Sequence, residues 1–303
     1  MKALIIGYGS VGSRHTRILA RLGCEVAVVS SRNIHAERCF PCISKALQKF
    51  DPKYVVIASE TARHLTDVVE LATCGFNGTV LVEKPLFAVV SDLPENCFSC
   101  GYVAYNLRFH PLIVRLKERL AGENILSVQA YVGQYLPTWR PDQDYRQCYS
   151  AKRDSGGGAL RDLSHELDYL NWLLGGWLSV TALGGHFSPL EITSDDVFAI
   201  MLTTKRCPVV TVQLNYLDRQ TRREIVINTA KRTISVDFVT GRLSVNADVE
   251  EFKVERDATY QEMHAAILGN HQVPACTLAE GVDVVNLIAS AELAVVEGRW
   301  INR

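Results

Sequence analysis

Residues 1–15 read MKALIIGYGSVGSRH: a short apolar run meets glycines at Gly7, Gly9 and Gly12 and passes straight into a segment of helical composition. A strand over residues 3–6, then G-x-G-x-x-G, then a helix that Gly23 would end is the setting the motif's mechanics require. The first glycine makes a tight turn, the second lets the backbone approach a pyrophosphate, and the third lets helix and strand pack closely. The helix N-terminus then faces the phosphates. Gly7, Tyr8, Gly9, Ser10, Val11 and Gly12 are therefore expected to hold a dinucleotide.

Outward from this loop, the apolar runs EVAVV (25–29), YVVIA (54–58), TVLVE (79–83) and GYVAY (101–105) alternate with amphipathic stretches. Runs rich in Val and Ile without polar alternation are what strands buried on both faces look like. They predict a Rossmann-type, doubly wound parallel sheet in the strand order 3-2-1-4-5-6. Beyond about residue 125 the texture changes, and Val210, Val212, Leu214 and Tyr216 alternate with Thr211, Gln213 and Asn215. That period predicts a large, mainly antiparallel open sheet with one covered face. The run VFAIML (197–202), apolar on both faces, is expected to be either a central strand or part of a subunit contact, and a helix over 278–296 to close the chain. The fold class is α/β, with a dinucleotide-binding domain over 1–106 and a substrate-binding and oligomerisation α/β domain over 107–303.

Of the 303 residues 48% are hydrophobic and 21% charged, a balance that excludes intrinsic disorder. With 32 Lys and Arg against 33 Asp and Glu, no overall field attracts a polyanion, so nucleic-acid binding is not expected. The run ALII before the glycines is too short for a secretory signal, and the longest stretch without Asp, Glu, Lys or Arg (170–190) is broken by glycines, Asn171, His186 and Pro189. Neither export nor a membrane span is expected. Nine cysteines, an odd number in a chain that needs no staples, point to a reduced, cytoplasmic protein. Cys39–Cys42 and Cys97–Cys100 are both CxxC pairs, yet the predicted strand order separates them by roughly 24 Å, five strand spacings. No metal site is expected, and neither pair is expected to open a helix N-terminus that would activate a thiol.

Three further segments carry chemistry. The second strand ends in Ser30-Ser31-Arg32-Asn33, where an acid would accept the ribose hydroxyls of NAD, and no acid follows until Glu37. Ser31 and Arg32 are suited to a 2′-phosphate and favour NADP, while an Arg32 that only stacks on adenine would leave NAD usable too. Glu83-Lys84-Pro85 ends the fifth strand at the carboxyl edge, where Lys84 could polarise a carbonyl oxygen or stabilise an alkoxide. In GGGALRDLSHELD (156–168), a continuous helix over about 159–174 would turn Leu163, Leu167, Leu170 and Leu174 to a core and Asp162, His165, Asp168, Tyr169 and Trp172 to a cleft. His165 suits proton exchange near neutrality; an exposed His165 paired with Asp162 or Asp168 is the alternative. Just upstream, Trp139, Arg140, Tyr145, Arg146, Tyr149, Lys152 and Arg153 could hold an anionic sugar, unless Asp142, Asp144 and Asp154 pair with the cations.

GYGSVGSRH, TARH at 61–64, EKP at 83–85, YNLRFHP at 105–111 and the glycine run leading to His165, taken in this order, resemble the glucose-fructose oxidoreductase and inositol dehydrogenase (Gfo/Idh/MocA) family. The resemblance implies an NAD(P)-dependent oxidoreductase acting on CH–OH or C=O groups of a sugar-like small molecule, with a homodimer or homotetramer built through the C-terminal sheet. It implies a catalytic Lys84, often joined to its proline by a cis bond, and His165 as the family histidine. It adds Ser59, His64 and Glu83 to the cofactor contacts, and Asn106, Arg108, Arg140, Tyr145, Arg146, Asp168 and Tyr169 to the substrate contacts. Asp162 stands three residues before His165 where the family places its acid four before, a rotation of about 100° on a helix that bears on its catalytic role. LPTWRPDQDYRQCYSAKRDSGGG (136–158) resembles members associated with surface-polysaccharide sugars, which implies a nucleotide-linked or amino sugar. A reductase of a non-sugar carbonyl or diol, and a non-catalytic NADP-binding regulator, are the alternatives.

Overall fold

The computed structural model describes residues 1–30, 38–269 and 274–303. The chain divides into two units, Met1–Phe109 with Arg256–Val285, and His110–Glu255 with Asn286–Arg303. The change at 109/110 lies three residues past the boundary read from sequence, whereas Arg256–Val285 groups with the first unit. Periodicity along that segment says that it buries a face but not which core receives it. The answer is the first core, where Met263 packs with Ala3, Ile5, Tyr54 and Leu81.

In the first unit β1 (Lys2–Ile6), β2 (Glu25–Val29), β3 (Cys39–Phe40), β4 (Tyr54–Ile57), β5 (Thr79–Val82) and β6 (Cys100–Val103) form a parallel sheet in the order β6-β5-β4-β1-β2-β3. This is the predicted doubly wound order. Ile5 lies beside Val28 and Val56, and Val56 beside Leu81. All four are buried, as an unalternating Val/Ile run demands. Helices α1 (Ser10–Arg21), α2 (Ile43–Phe50) and α3 (His64–Thr73) supply connections between these strands. A two-residue strand, Cys276–Thr277, adds antiparallel to β6.

The second unit is built on β7 (Ile125–Gly133), β8 (Trp177–Gly185), β9 (Val197–Thr204), β10 (Val210–Asn215), β11 (Arg222–Thr229), β12 (Thr233–Asp237), β13 (Arg242–Val245) and β14 (Asp248–Glu251), in the order β14-β13-β12-β11-β7-β10-β9-β8. The β7–β10 pair is parallel and the other pairs are antiparallel. Val210, Val212 and Leu214 face inward as their alternation predicts. The VFAIML run occupies an interior strand, but only Phe198, Ile200 and Leu202 are buried, and Met201 on the other face is 47% exposed. The predicted last helix forms over Leu278–Glu297, but the chain does not close on it: Ile301–Asn302 follow as a strand beside β8.

One predicted element divides. After α4 (Pro111–Arg119), the expected continuous helix over 159–174 is two, α5 (Ala159–Asp162) and α6 (His165–Leu173), because the backbone leaves the helical region at Leu163 (φ −97°, ψ 20°). Neither Gly nor Pro marks the break. Asp195 closes the free N-terminus of α5: its carbonyl accepts the Ala159 N–H at 3.0 Å and its carboxylate the Leu160 N–H at 2.8 Å. Burial pushes the Asp195 carboxyl up to about 6, against the pull of the Leu160 hydrogen bond and the nearby Arg161 charge. Glu166 on α6 has no exposed surface and is met by Arg223 of β11, Nε to Oε1 at 2.8 Å and Nη2 to Oε2 at 3.3 Å.

Removing Arg223 strands that carboxylate, so Arg223→Ala should cost roughly 3–5 kcal/mol in urea unfolding; a loss under about 1 kcal/mol would show that Glu166 is paired by something else. The raised Asp195 pKa means that the folded state holds its proton more tightly than the unfolded chain, so this residue's contribution to stability falls as pH rises from about 4 through 6. Asp195→Asn keeps an acceptor for Leu160, and between pH 4.5 and 8 it should gain on the wild type by about 2 kcal/mol, discounted for partial exposure. A difference independent of pH would refute this assignment.

Candidate functional site

The glycine loop separates its three roles cleanly. Gly7 has φ +93°, and a Cβ there would strike the Ser59 backbone; at Gly12 a Cβ would strike the Gly7 carbonyl oxygen. At Gly9 a Cβ would meet nothing within 4 Å. The turn and the helix–strand contact thus each require a bare backbone, and the middle glycine leaves open space at the start of α1. Gly9 is the N-cap without a side-chain cap bond, and the first turn beginning at Ser10 and Val11 carries no acid. A helix start with space beside it and no negative charge is what a pyrophosphate needs. Tyr8 packs partly buried against the core. Ser31 and Arg32, on which the NADP preference rests, lie outside the described residues.

At the same sheet edge, the Ser59 hydroxyl donates to Asp67 at 2.5 Å. His64 is buried with Nδ1 3.0 Å from the Pro85 carbonyl and Nε2 3.1 Å from that of Ser59, which ties the loop after β4 to the loop after β5. Burial lowers the His64 pKa despite those carbonyls. The Lys84–Pro85 peptide is cis. Glu83 accepts the Lys84 backbone N–H at 3.1 Å through Oε2, and Oε1 faces His15 at 2.8 Å. Burial alone would raise Glu83, but the His15 hydrogen bond, the Lys84 charge and the Lys84 backbone N–H outweigh it and hold the carboxyl below its usual range. His15 and its partner His264 were not singled out in the sequence as a pair, because nothing there brings residues 15 and 264 together.

Two residues expected to touch substrate are committed inside the first unit. Asn106 Nδ2 donates to Thr259 Oγ1 at 2.6 Å, and buried Arg108 pairs with Glu280 at 3.1 Å. The sequence could not foresee either, because Thr259 and Glu280 come from the returning segment.

In the second unit His165 is half-buried and opens α6. Asp162, at the end of α5, is buried and accepts the Tyr216 hydroxyl at 2.6 Å; the Tyr149 hydroxyl also bonds to it. Because the helix breaks between them, the angular relation expected of a continuous helix does not apply to Asp162 and His165. Asp168 and Tyr169, expected to face a cleft, are 1% and 0% exposed, and the Tyr169 hydroxyl donates to Glu166 at 3.3 Å. Arg146 is held by Asp144 at 2.9 Å and Glu191 at 2.7 Å, so the acid-paired reading of this arginine prevails over a waiting anion site. The Tyr145 hydroxyl accepts the Glu191 N–H. Arg140 lines a small crevice with Trp139, Gln143 and Ser150.

Among the described residues no group of three or more His, Cys, Asp or Glu side chains is placed to hold a metal ion, and no helix is long and apolar enough to cross a membrane. One cysteine reading changes: Cys42 is the N-cap of α2, and a hydrogen bond with Ser44 and the Lys45 backbone lower its thiol pKa.

Residues 113–235 match the family model of the GFO/IDH/MocA C-terminal domain. Over 131 residues the chain is 27% identical to YteT of Bacillus subtilis (strain 168), which carries an oxidoreductase name; the match spans 41% of this chain and only 30% of that protein. The whole fold is similar to the WlbA dehydrogenase from Bordetella pertussis, solved with NADH and UDP-GlcNAcA (TM-score 0.82, 19% identity, 100% of this chain and 98% of that one). It is also similar to a levoglucosan dehydrogenase solved with NADH (TM-score 0.84, 17% identity, 100% and 98%). Residues 113–235 thus carry a GFO/IDH/MocA-type C-terminal domain within the second unit, and the chain as a whole shares the fold of these dehydrogenases.

Proposed function

We propose that this chain is an NAD(P)-dependent oxidoreductase that transfers a hydride between nicotinamide and a secondary alcohol or ketone of a sugar, in particular a nucleotide-linked or amino sugar. The observation that carries the reading is the loop at Gly7, Gly9 and Gly12, where a turn that needs a bare backbone, open space at the middle glycine and a first turn without acids meet at one helix start. The dehydrogenases of similar fold that were solved with NADH support it, and WlbA with its UDP-sugar supports the sugar class.

Gly7 to Gly12 would hold the pyrophosphate, with Ser59 and His64 shaping the adjoining loops and Ser31 and Arg32 taking a 2′-phosphate. The bound nicotinamide supplies the hydride acceptor or donor. In the oxidation direction His165 takes the hydroxyl proton, and the Lys84 ammonium stabilises the negative charge that develops on that oxygen; in reduction the proton moves back from His165. Asp162, held by two tyrosine hydroxyls, gives a fixed carboxylate before α6 and orients more than it exchanges protons. Arg140 and Tyr145 are the candidates for substrate contact, and Asn106, Arg108, Arg146, Asp168 and Tyr169 enter only as supports of their neighbours. The uncovered sheet face with Leu183 (78% exposed) and Met201 suits a homo-oligomer, and nine free cysteines suit a reducing cytoplasm.

Screening sugars and nucleotide sugars with NADP⁺ and NAD⁺ by absorbance at the reduced nicotinamide band tests the reading. Lys84→Ala should lower kcat by roughly 10²–10³-fold and His165→Ala by roughly 10²–10⁴-fold, with dinucleotide affinity nearly kept. Near-normal kcat in both variants would refute the roles, and no hydride transfer across a broad panel would favour the regulator. Fluorescence titration should give tighter binding of NADPH than NADH, and Arg32→Asp should reverse the order; equal affinities would remove the 2′-phosphate role of Arg32.

A further inference from the structure

Four buried polar side chains from four separate elements form an unbroken row in the first unit. Glu83 Oε1, at the end of β5, lies 2.8 Å from His15 Nε2 on α1; His15 Nδ1 lies 2.7 Å from His264 Nε2 on the helix Ala258–Leu268; His264 Nδ1 lies 2.9 Å from the Tyr54 hydroxyl on β4. His15, His264 and Tyr54 have no exposed surface, so each polar atom must find its partner inside the row.

With both rings neutral, two assignments of the hydrogens satisfy all three contacts. In one, Tyr54 donates to His264, His264 through Nε2–H to His15, and His15 through Nε2–H to an ionised Glu83. In the other every bond is reversed, which requires a protonated Glu83 beside Lys84 and a further acceptor for the Tyr54 hydrogen within the core. The geometry selects the first: the reversed row, like one with a doubly protonated His15, leaves the buried Tyr54 hydrogen without an acceptor in the row. Burial also keeps the Tyr54 phenol protonated and lowers the His264 pKa.

We propose that Tyr54, His264 and His15 are positioning residues: they pass donors in one direction to Glu83, whose other oxygen accepts the Lys84 backbone N–H and so seats the lysine. The role of Lys84 rests on the function proposed above; the row itself does not. Neither neutral imidazole can turn over without breaking two bonds, so the tautomers of His15 and His264 are locked together with the charge on Glu83. The segment that returns to the first unit therefore contributes, through His264, to a lysine about 180 residues earlier in the chain.

The test uses the full chain without ligands. Long-range ¹H–¹⁵N spectra at neutral pH should show both rings neutral and carrying hydrogen at Nε2; hydrogen at Nδ1 of either ring overturns the proposal. Tyr54→Phe, which deletes one oxygen, should move the ring nitrogens of His15 and the amide proton of Lys84, neither of which it touches, and unmoved resonances at both overturn the coupling. In the enzyme assay Tyr54→Phe should lower kcat by roughly three- to tenfold with dinucleotide Kd within about twofold. His15→Gln, whose amide can still donate to Glu83 and accept from His264, should retain more kcat than His15→Phe. Unchanged kcat in all three variants overturns the positioning role. An inactive wild type would count against the oxidoreductase reading alone, because the tautomer and amide readouts need no substrate and would still decide the row.

Discussion

Helix α1 can lie against the sheet only because Gly12 has no side chain, since a single methyl would enter the carbonyl oxygen of Gly7. That close approach sets where everything on the helix falls. It puts the helix N-terminus at the carboxyl edge of the strands, and less than two turns later it brings His15 to within 2.8 Å of Glu83 at the end of a different strand. The candidate phosphate cradle and the support of the candidate lysine are thus two results of one packing distance. The glycine motif, usually read only for its ligand, also fixes the protein's own buried charges.

The two units meet the cost of burying carboxylates in different ways. In the first, Glu83 is answered by a backbone N–H and an imidazole, uncharged donors that leave its charge in place. In the second, Glu166 faces a guanidinium, Asp162 takes tyrosine hydroxyls and Asp195 accepts helix N–H groups. Burial wins at Asp195 and Glu166 and raises both, while the neighbours win at Glu83 and lower it. The difference follows from local donors: Glu83 has the His15 ring, the Lys84 backbone N–H and the Lys84 charge beside it.

The order of the parallel strands was legible because unalternating Val and Ile runs leave little else for β1, β2, β4 and β5 to be, and the glycine loop was legible because each glycine has a separate steric duty. The alternation along β10 likewise announced its sheet. What could not be read were contacts made by segments distant in sequence: Asn106 with Thr259, Arg108 with Glu280, and His15 with His264. The break at Leu163 was hidden because a good helix former occupies it and no Gly or Pro interrupts the pattern. The leucine spacing was real, but it does not record where a helix stops and restarts.

The return of Arg256–Val285 to the first unit has a consequence for how the protein is made. Its parallel strands are synthesised first, yet its edge strand Cys276–Thr277 and the buried Met263 and His264 emerge only after His110–Glu255, the larger part of the second unit. Until then Tyr54 and His15 face a gap where an imidazole belongs. The unit begun first is therefore still open when most of the second has been made, and a fragment ending near residue 109 would carry the glycine loop without the residues that close the core behind it.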